Sequence, residues 1–268
     1  REEDFSLSAY FPLQSTYWTL TPVASVNSER AFAYLPGSNP AEDDLVAKSA
    51  YAPSADLAFV FSNIENSRLA VSPEGGRTVT LGSRLYSDSG RALWKGVYKH
   101  SEHFRLTDHT VLNPNLRGMV TSGVSTRFAS ANAVTQGRAQ ELFDTTGNGI
   151  FDSIRVRGYP TRSFYTRASA QASLNLSFPL LRMFRGWSTH PVFLENLHGF
   201  AFAEATYLPF RNGSSATLPS AGAGVRLNTE LLLRIPIVVS LEYHRGFRIE
   251  AGASHDFFLQ MGLGSLSF

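Results

Sequence analysis

The sequence predicts a closed antiparallel β-barrel that crosses a membrane, and three observations carry that expectation. Apolar and polar residues alternate with period two along most of the chain. The alternating segments run to about the ten residues that a tilted membrane strand requires. The composition also suits neither a water-soluble domain nor a bundle of membrane helices. Charged residues make up 17% of the chain, against roughly 25% in an ordinary soluble domain. Aromatics reach 12%, with 20 Phe and 10 Tyr, so part of the surface is expected to meet something other than water. Mean hydropathy is nevertheless only −0.11, too polar for helical spans. A barrel reconciles these facts, because its strands set lipid-facing apolar residues against lumen-facing polar ones.

Several classes are excluded at once. The net charge of +2, from 24 basic and 22 acidic residues, is scattered; no basic tract points to nucleic acid. With no cysteine, disulfides, thiol catalysis and Cys-ligated metals are ruled out. The most apolar run, Leu231 to Leu241, is broken by Arg234 and Pro236 and covers about half of the ~20 residues a membrane helix needs. Arg1 is not followed by a charged-then-apolar leader, so a signal peptide is expected to be missing from these residues.

Candidate strands lie at 4–12, 17–27, 45–52, 55–63, 77–87, 91–104, 110–122, 168–180, 199–208, 221–233, 237–247 and 257–268. In the second, Trp18, Leu20, Ala24 and Val26 oppose Thr19, Thr21 and Ser25. Val79, Leu81 and Leu85 then oppose Thr78, Thr80 and Arg84. The clearest case sets Ala170, Ala172, Leu174, Leu176, Phe178 and Leu180 against Gln171, Ser173, Asn175 and Ser177. Ala223, Val225, Leu227 and Leu231 oppose Gly222, Gly224, Arg226, Asn228 and Glu230, while Ile237, Val239, Leu241 and Tyr243 oppose Ser240, Glu242 and His244. The last strand changes phase: Phe257, Leu259, Met261 and Leu263 share one parity, Leu266 and Phe268 the other, and a bulge near Gly264 and Ser265 would restore it.

A soluble sandwich would alternate in the same way. Strand length, aromatics near strand ends (Trp18, Tyr86, Trp94, Tyr98, Phe178, Tyr207, Tyr243) and the final Phe268 favour the barrel, since interfacial girdles gather aromatics there. Twelve strands is an even number, as bacterial single-chain barrels prefer. Sixteen is the alternative, which the long segments 28–44 and 123–167 make hard to fit.

The motif Arg155-Val156-Arg157-Gly158-Tyr159-Pro160 follows a long polar stretch and precedes the most regular strand. Together with ASLNLSFPL, GFAFAEATYLPF and SAGAGVRLNTELLL after it, and AFVFSN, RLAVSPEGGRTVTLGSRLYS and HTVLNPNLRG before it, it resembles the BamA-like superfamily, whose barrel is the bacterial surface antigen domain. The resemblance covers most of the chain. It implies that Val156, Arg157, Gly158 and Tyr159 sit on a loop folded back into the lumen, five strands before the C-terminus. It also implies a bacterial outer-membrane location among outer-membrane lipids, a role in assembling or moving protein or lipid there, and Phe268 as the sorting signal of the barrel. The start, YFPLQSTYWTLTPVAS, looks like the junction between a periplasmic TolB-like propeller and a short barrel. Residues 1–268 are therefore expected to be one barrel domain from the C-terminal part of a longer protein. No POTRA repeat is visible. A structural anchor for a periplasmic domain and a passive diffusion pore are the alternatives in function.

In the resembling family the arginine of the motif pairs with an acidic group on the lumen wall, and Glu204 is the residue here that would replace the usual Asp; Asn175 stands where an acidic residue is often found. A guanidinium in a partly dehydrated lumen needs a carboxylate. The plainer reading of Arg157 is a mobile surface loop. Arg84, Arg226, Glu230, Glu242 and His244 are expected to face the lumen, either as a selectivity lining or, as favoured here, as mutual ion pairs filling a narrow barrel. Asp144 to Asp152 resembles a calcium loop, but Thr146 weakens the ligand set and Arg155 stands where a bidentate Glu belongs. A polar turn is the preferred reading, with no metal or cofactor. Seven His are present, yet no His-x-Ser motif or G-x-S-x-G elbow accompanies them, so no enzyme is expected.

Overall fold

The computed structural model describes residues 2–31, 50–65, 72–88, 91–122, 133–135, 150–151, 154–159, 162–164, 166–186, 192–210, 213–231, 235–248 and 255–263. Among these there is no helix. The strands are β1 (Glu2–Tyr10), β2 (Leu13–Gln14), β3 (Thr19–Ala31), β4 (Ala50–Ser62), β5 (Gly75–Asp88), β6 (Arg91–Thr107), β7 (Thr110–Thr121), β8 (Ala133–Thr135), β9 (Ile154–Val156), β10 (Arg162–Phe164), β11 (Ala168–Gly186), β12 (Val192–Pro209), β13 (Ser215–Leu231), β14 (Ile235–Gly246) and β15 (His255–Leu263). They form a 12-stranded sheet in the order β1-β3-β4-β5-β6-β7-β11-β12-β13-β14-β15, with β2 on β3, and a 3-stranded sheet β10-β8-β9. Every pairing in the large sheet is antiparallel. Sequence neighbours pair throughout from β3 to β15, apart from the small sheet inserted between β7 and β11, while β1 and the short β2 both pair with β3.

The period-two pattern becomes two opposite faces, and their burial is inverted relative to a soluble protein. One face leaves Leu57, Phe59, Leu81, Leu116, Leu174 and Leu241 exposed. The other buries Thr80, Lys95, Gln171, Glu204, Thr206 and Glu242. Adjacent residues make the contrast sharp: Leu241 is 49% exposed and Glu242 5%. The register carries each face from strand to strand, with Leu81↔Tyr98, Leu116↔Ala172 and Leu174↔Ala203 outside and Asp56↔Arg84↔Lys95 inside. Soluble monomers rarely expose contiguous apolar surface on this scale.

Arg84, Arg226 and Glu242 on the buried face are paired with opposite charge, as removal from water demands. Arg84 makes a bidentate contact with Asp56, Nε to Oδ1 and Nη2 to Oδ2 both at 2.7 Å. Asn27 Nδ2 and Ser25 Oγ donate to the same carboxylate at 2.8 and 3.1 Å. Glu242 accepts from Ser240 at 3.0 Å, lies 2.9 Å from His244 Nε2 and pairs with Arg226 at 3.5 Å. Glu230 stands near the end of its strand, opposite Phe193 and Pro236.

The structure departs from the expected strands in places. The expected strands 45–52 and 55–63 merge in their described part: residues 50–62 form one strand, β4, and 45–49 lie outside the described residues. Pro53 reads as a break, but the β4–β5 ladder only starts at Ser54↔Tyr86, so a missing N–H on that side removes no ladder bond. β11, β12 and β13 are longer than expected, reaching Gly186, Val192 and Ser215. β1 begins and ends two residues earlier, at Glu2 and Tyr10. Phe268, the bulge proposed at Gly264 and Ser265, and all of the calcium-like loop but Ile150 and Phe151 lie outside the described residues.

Candidate functional site

Because the strands alternate in direction, the C-terminal end of β7 and the N-terminal end of β11 share one end of the sheet, and the insert leaves and returns there. Its small sheet pairs β8 with β9 in parallel and with β10 antiparallel. The insert rests on the polar-lined face of the large sheet. Phe151, Ile154, Val156 and Tyr159 bury themselves with Val97, Met119, Leu208 and Leu218 of β6, β7, β12 and β13. Burying these apolar side chains contributes roughly 1.5–3 kcal/mol each.

Polar contacts fix the orientation of the insert. Lys95 Nζ donates to the Phe151 carbonyl at 2.9 Å, and the Arg84 guanidinium lies 4.5 Å from the centre of the Phe151 ring. Gln171 Nε2 donates to the Arg155 carbonyl at 2.8 Å and to Thr206 Oγ1 at 3.1 Å.

The motif residues then meet β12, β13 and β14. Arg157 donates from Nε and Nη2 to Glu204 Oε2 at 3.0 and 2.6 Å, and its backbone N–H donates to Glu204 Oε1 at 3.0 Å. Ser220 Oγ donates to Oε1 as well, at 3.0 Å. The Glu204 side chain is only 2% exposed, and these donors from Arg157 and Ser220 satisfy its charge. The guanidinium also lies 3.4 Å from the centre of the Phe202 ring, a cation–π arrangement. Phe202 in turn meets His244 edge-on, centroids 5.2 Å apart. The structure thus brings Arg157 and the sequence-predicted Glu204 together. Asn175 stands opposite Phe202 in the β11–β12 ladder, but its Nδ2 donates to the Asn113 carbonyl at 3.5 Å.

Gly158 has φ of 77°, the left-handed region that a Cβ disfavours. A Cβ there would stand 2.4 Å from the Gly246 nitrogen, and one on Gly246 would stand 2.3 Å from the Gly158 carbonyl oxygen. Two glycines therefore let the insert backbone touch β14. Tyr159 is 1% exposed; its hydroxyl donates to the Pro219 carbonyl at 2.6 Å and accepts from the Arg248 backbone N–H at 3.3 Å.

The sequence alone did not single out Phe202, Ser220, Pro219 or Gly246. Ser220 shares the parity of Arg226 and could have been placed inside from that alone. The Pro219 carbonyl and the Gly246 approach are backbone features with no side-chain signature.

No family model and no curated protein matches the sequence. Among solved structures, the crystal structure of BamA from Haemophilus ducreyi lacking POTRA domains 1-3 matches over 97% of this chain, with a TM-score of 0.57 and 13% sequence identity. The chain spans about half of that protein, 53% of its length. At this identity the likeness is one of fold: an all-β antiparallel sheet similar to the BamA barrel.

Proposed function

We propose that the sheet closes as a twelve-stranded outer-membrane β-barrel, that the insert fills its lumen, and that the barrel works in assembly or translocation of protein or lipid at the bacterial outer membrane. The reading is carried by one observation: the VRGY segment is pinned through Arg157 to a buried Glu204 on the polar face of a sheet whose other face is apolar. Closure draws support from the reach of the insert. It touches Gly82 and Arg84 on β5 and Gly246 on β14, strands that a flat sheet would hold ~29 Å apart at ~4.8 Å per spacing. Curling the sheet brings them around one compact segment. The resemblance to the bacterial surface antigen barrels supplies the assembly or translocation role, the outer-membrane location and the use of Phe268 as a sorting signal. No catalytic role is proposed.

The filled lumen and paired charges speak against an open diffusion pore. They suit an anchor for a periplasmic domain equally well, and the propeller expected upstream of the barrel belongs to that second reading. The deciding experiment reconstitutes the protein in liposomes and follows the folding of a urea-unfolded client barrel. Acceleration over empty liposomes, together with a low single-channel conductance, is expected. No acceleration in the full-length protein would leave the anchor and remove the assembly role.

A further inference from the structure

Past Ser177, β11 parts from β7. Its ladder with β7 ends at Ser177↔Val111, while its ladder with β12 runs on to Gly186↔Phe193. The edge from Phe178 to Gly186 therefore runs on past the end of the β7 ladder, with Asp108 of the β6–β7 turn near enough to feel the charge of Arg182. Free edges invite strand addition, but this one is built against it. Pro179 offers no N–H, the register shifts between Pro179 and Leu181 and again between Arg182 and Arg185, and Phe184 has φ of 42°. Bulges re-aim side chains, and here they leave Leu180, Leu181 and Phe184 exposed at 50%, 54% and 43%. Arg182 and Arg185 are exposed beside them.

Register and tilt set the depth of this edge relative to the apolar band. The outward row from Ala170 to Leu180 is centred on Asn175. Counted in register steps against β12, at ~3.3 Å per residue and ~40° of tilt, Leu181 lies about 13 Å and Arg185 about 20 Å from that centre along the membrane normal. The hydrocarbon half-thickness is ~15 Å. The leucines thus fall just inside the hydrocarbon and the arginine just outside it, at the depth of lipid phosphates.

We propose that the β11 edge, at the end of the barrel opposite the VRGY insert, is a docking surface for anionic phospholipid headgroups, with Leu180 and Leu181 among the acyl chains, Phe184 at the headgroup boundary and Arg185 and Arg182 on the phosphates. The apolar row continuing from Leu174 into Leu180 and the positive charge at its rim select this occupant over an extended peptide. The proposal rests on the membrane-barrel reading.

The test is native mass spectrometry of the protein released from bilayers of equimolar phosphatidylglycerol and phosphatidylcholine. The wild type is expected to retain the anionic lipid with about 25-fold preference, at roughly fivefold for each of the two arginines near the surface. Arg182→Gln with Arg185→Gln should lower this below about twofold, and Arg182→Lys with Arg185→Lys should keep it. Equal retention of both lipids by the wild type, or an unchanged preference in the glutamine variant, overturns the proposal while the barrel reading stands. Failure of the wild type to enter bilayers at all overturns the barrel reading itself.

Discussion

Replacing Arg157 by Ala tests the lock on the insert. The change removes two guanidinium bonds to Glu204 and the stacking on Phe202. It leaves the Arg157 backbone N–H and Ser220 Oγ on Oε1, but Oε2 loses both of its guanidinium donors inside a 2%-exposed side chain. Removing one partner of a buried pair costs about 3–5 kcal/mol. The cation–π contact overlaps with that figure and is not added to it. Because the large sheet keeps its own ladders, the cost falls on docking of the insert, and the undocked fraction should rise by roughly 150- to 4,000-fold. Limited proteolysis of the insert in lipid nanodiscs reads this directly as a cleavage rate, and single-channel recording reads it as raised conductance. Arg157→Ala combined with Glu204→Gln should recover part of the loss, since no unpaired charge then remains. A cleavage rate within about threefold of wild type would refute the reasoning, because stripping a buried carboxylate of its cation leaves no room for so small an effect.

Three other outcomes are expected. Gly158→Ala and Gly246→Ala should each lower the temperature at which the protein loses its heat-modifiable gel mobility, since the new Cβ meets backbone at 2.4 and 2.3 Å; unchanged mobility curves would mean that the backbones are not in contact. Leu174→Arg should lower unfolding stability in lipid vesicles by about 2–4 kcal/mol and Asn175→Arg by far less, and equal losses would contradict the assignment of faces. The hydrogen bond from Arg105 holds the Asp108 carboxyl below its ordinary value, with charge from His109 and Arg182 assisting. A depressed carboxyl supports the β6–β7 turn above its unfolded pKa and loses that support as pH falls through its folded one, so carboxyl NMR should show Asp108 titrating late on acidification and Arg105→Gln should move it most of the way back toward normal.

Much of this architecture can be read in the residues. Alternation assigns Leu81 and Thr80, or Leu241 and Glu242, to opposite faces because a side-chain period of two leaves no other choice. Arg157 and Glu204 could be matched only through the motif, since nothing local brings residues so distant in sequence together. The partner of Arg84 escaped because, although Asp56 lies within an expected strand, its pairing is set by the β4–β5 register, which no local pattern of residues fixes. The far ends of β11 and β12 escaped for a different reason. Arg182 and Arg185 with the two register shifts break the parity that marks a strand, so a real strand looks like a loop. Contacts made by main-chain atoms, such as Tyr159 with the Pro219 carbonyl, leave no trace in composition.

The order of residues along the chain has a temporal consequence. Everything that grips the VRGY segment on its far side, from Glu204 through Ser220 to Gly246, is synthesised after it. The early strands can zip together as they emerge, yet the bolt has no socket until the final hairpins arrive. Seating of the insert is thus a late event in maturation, and a protease pulse during refolding should find this segment the last to become resistant.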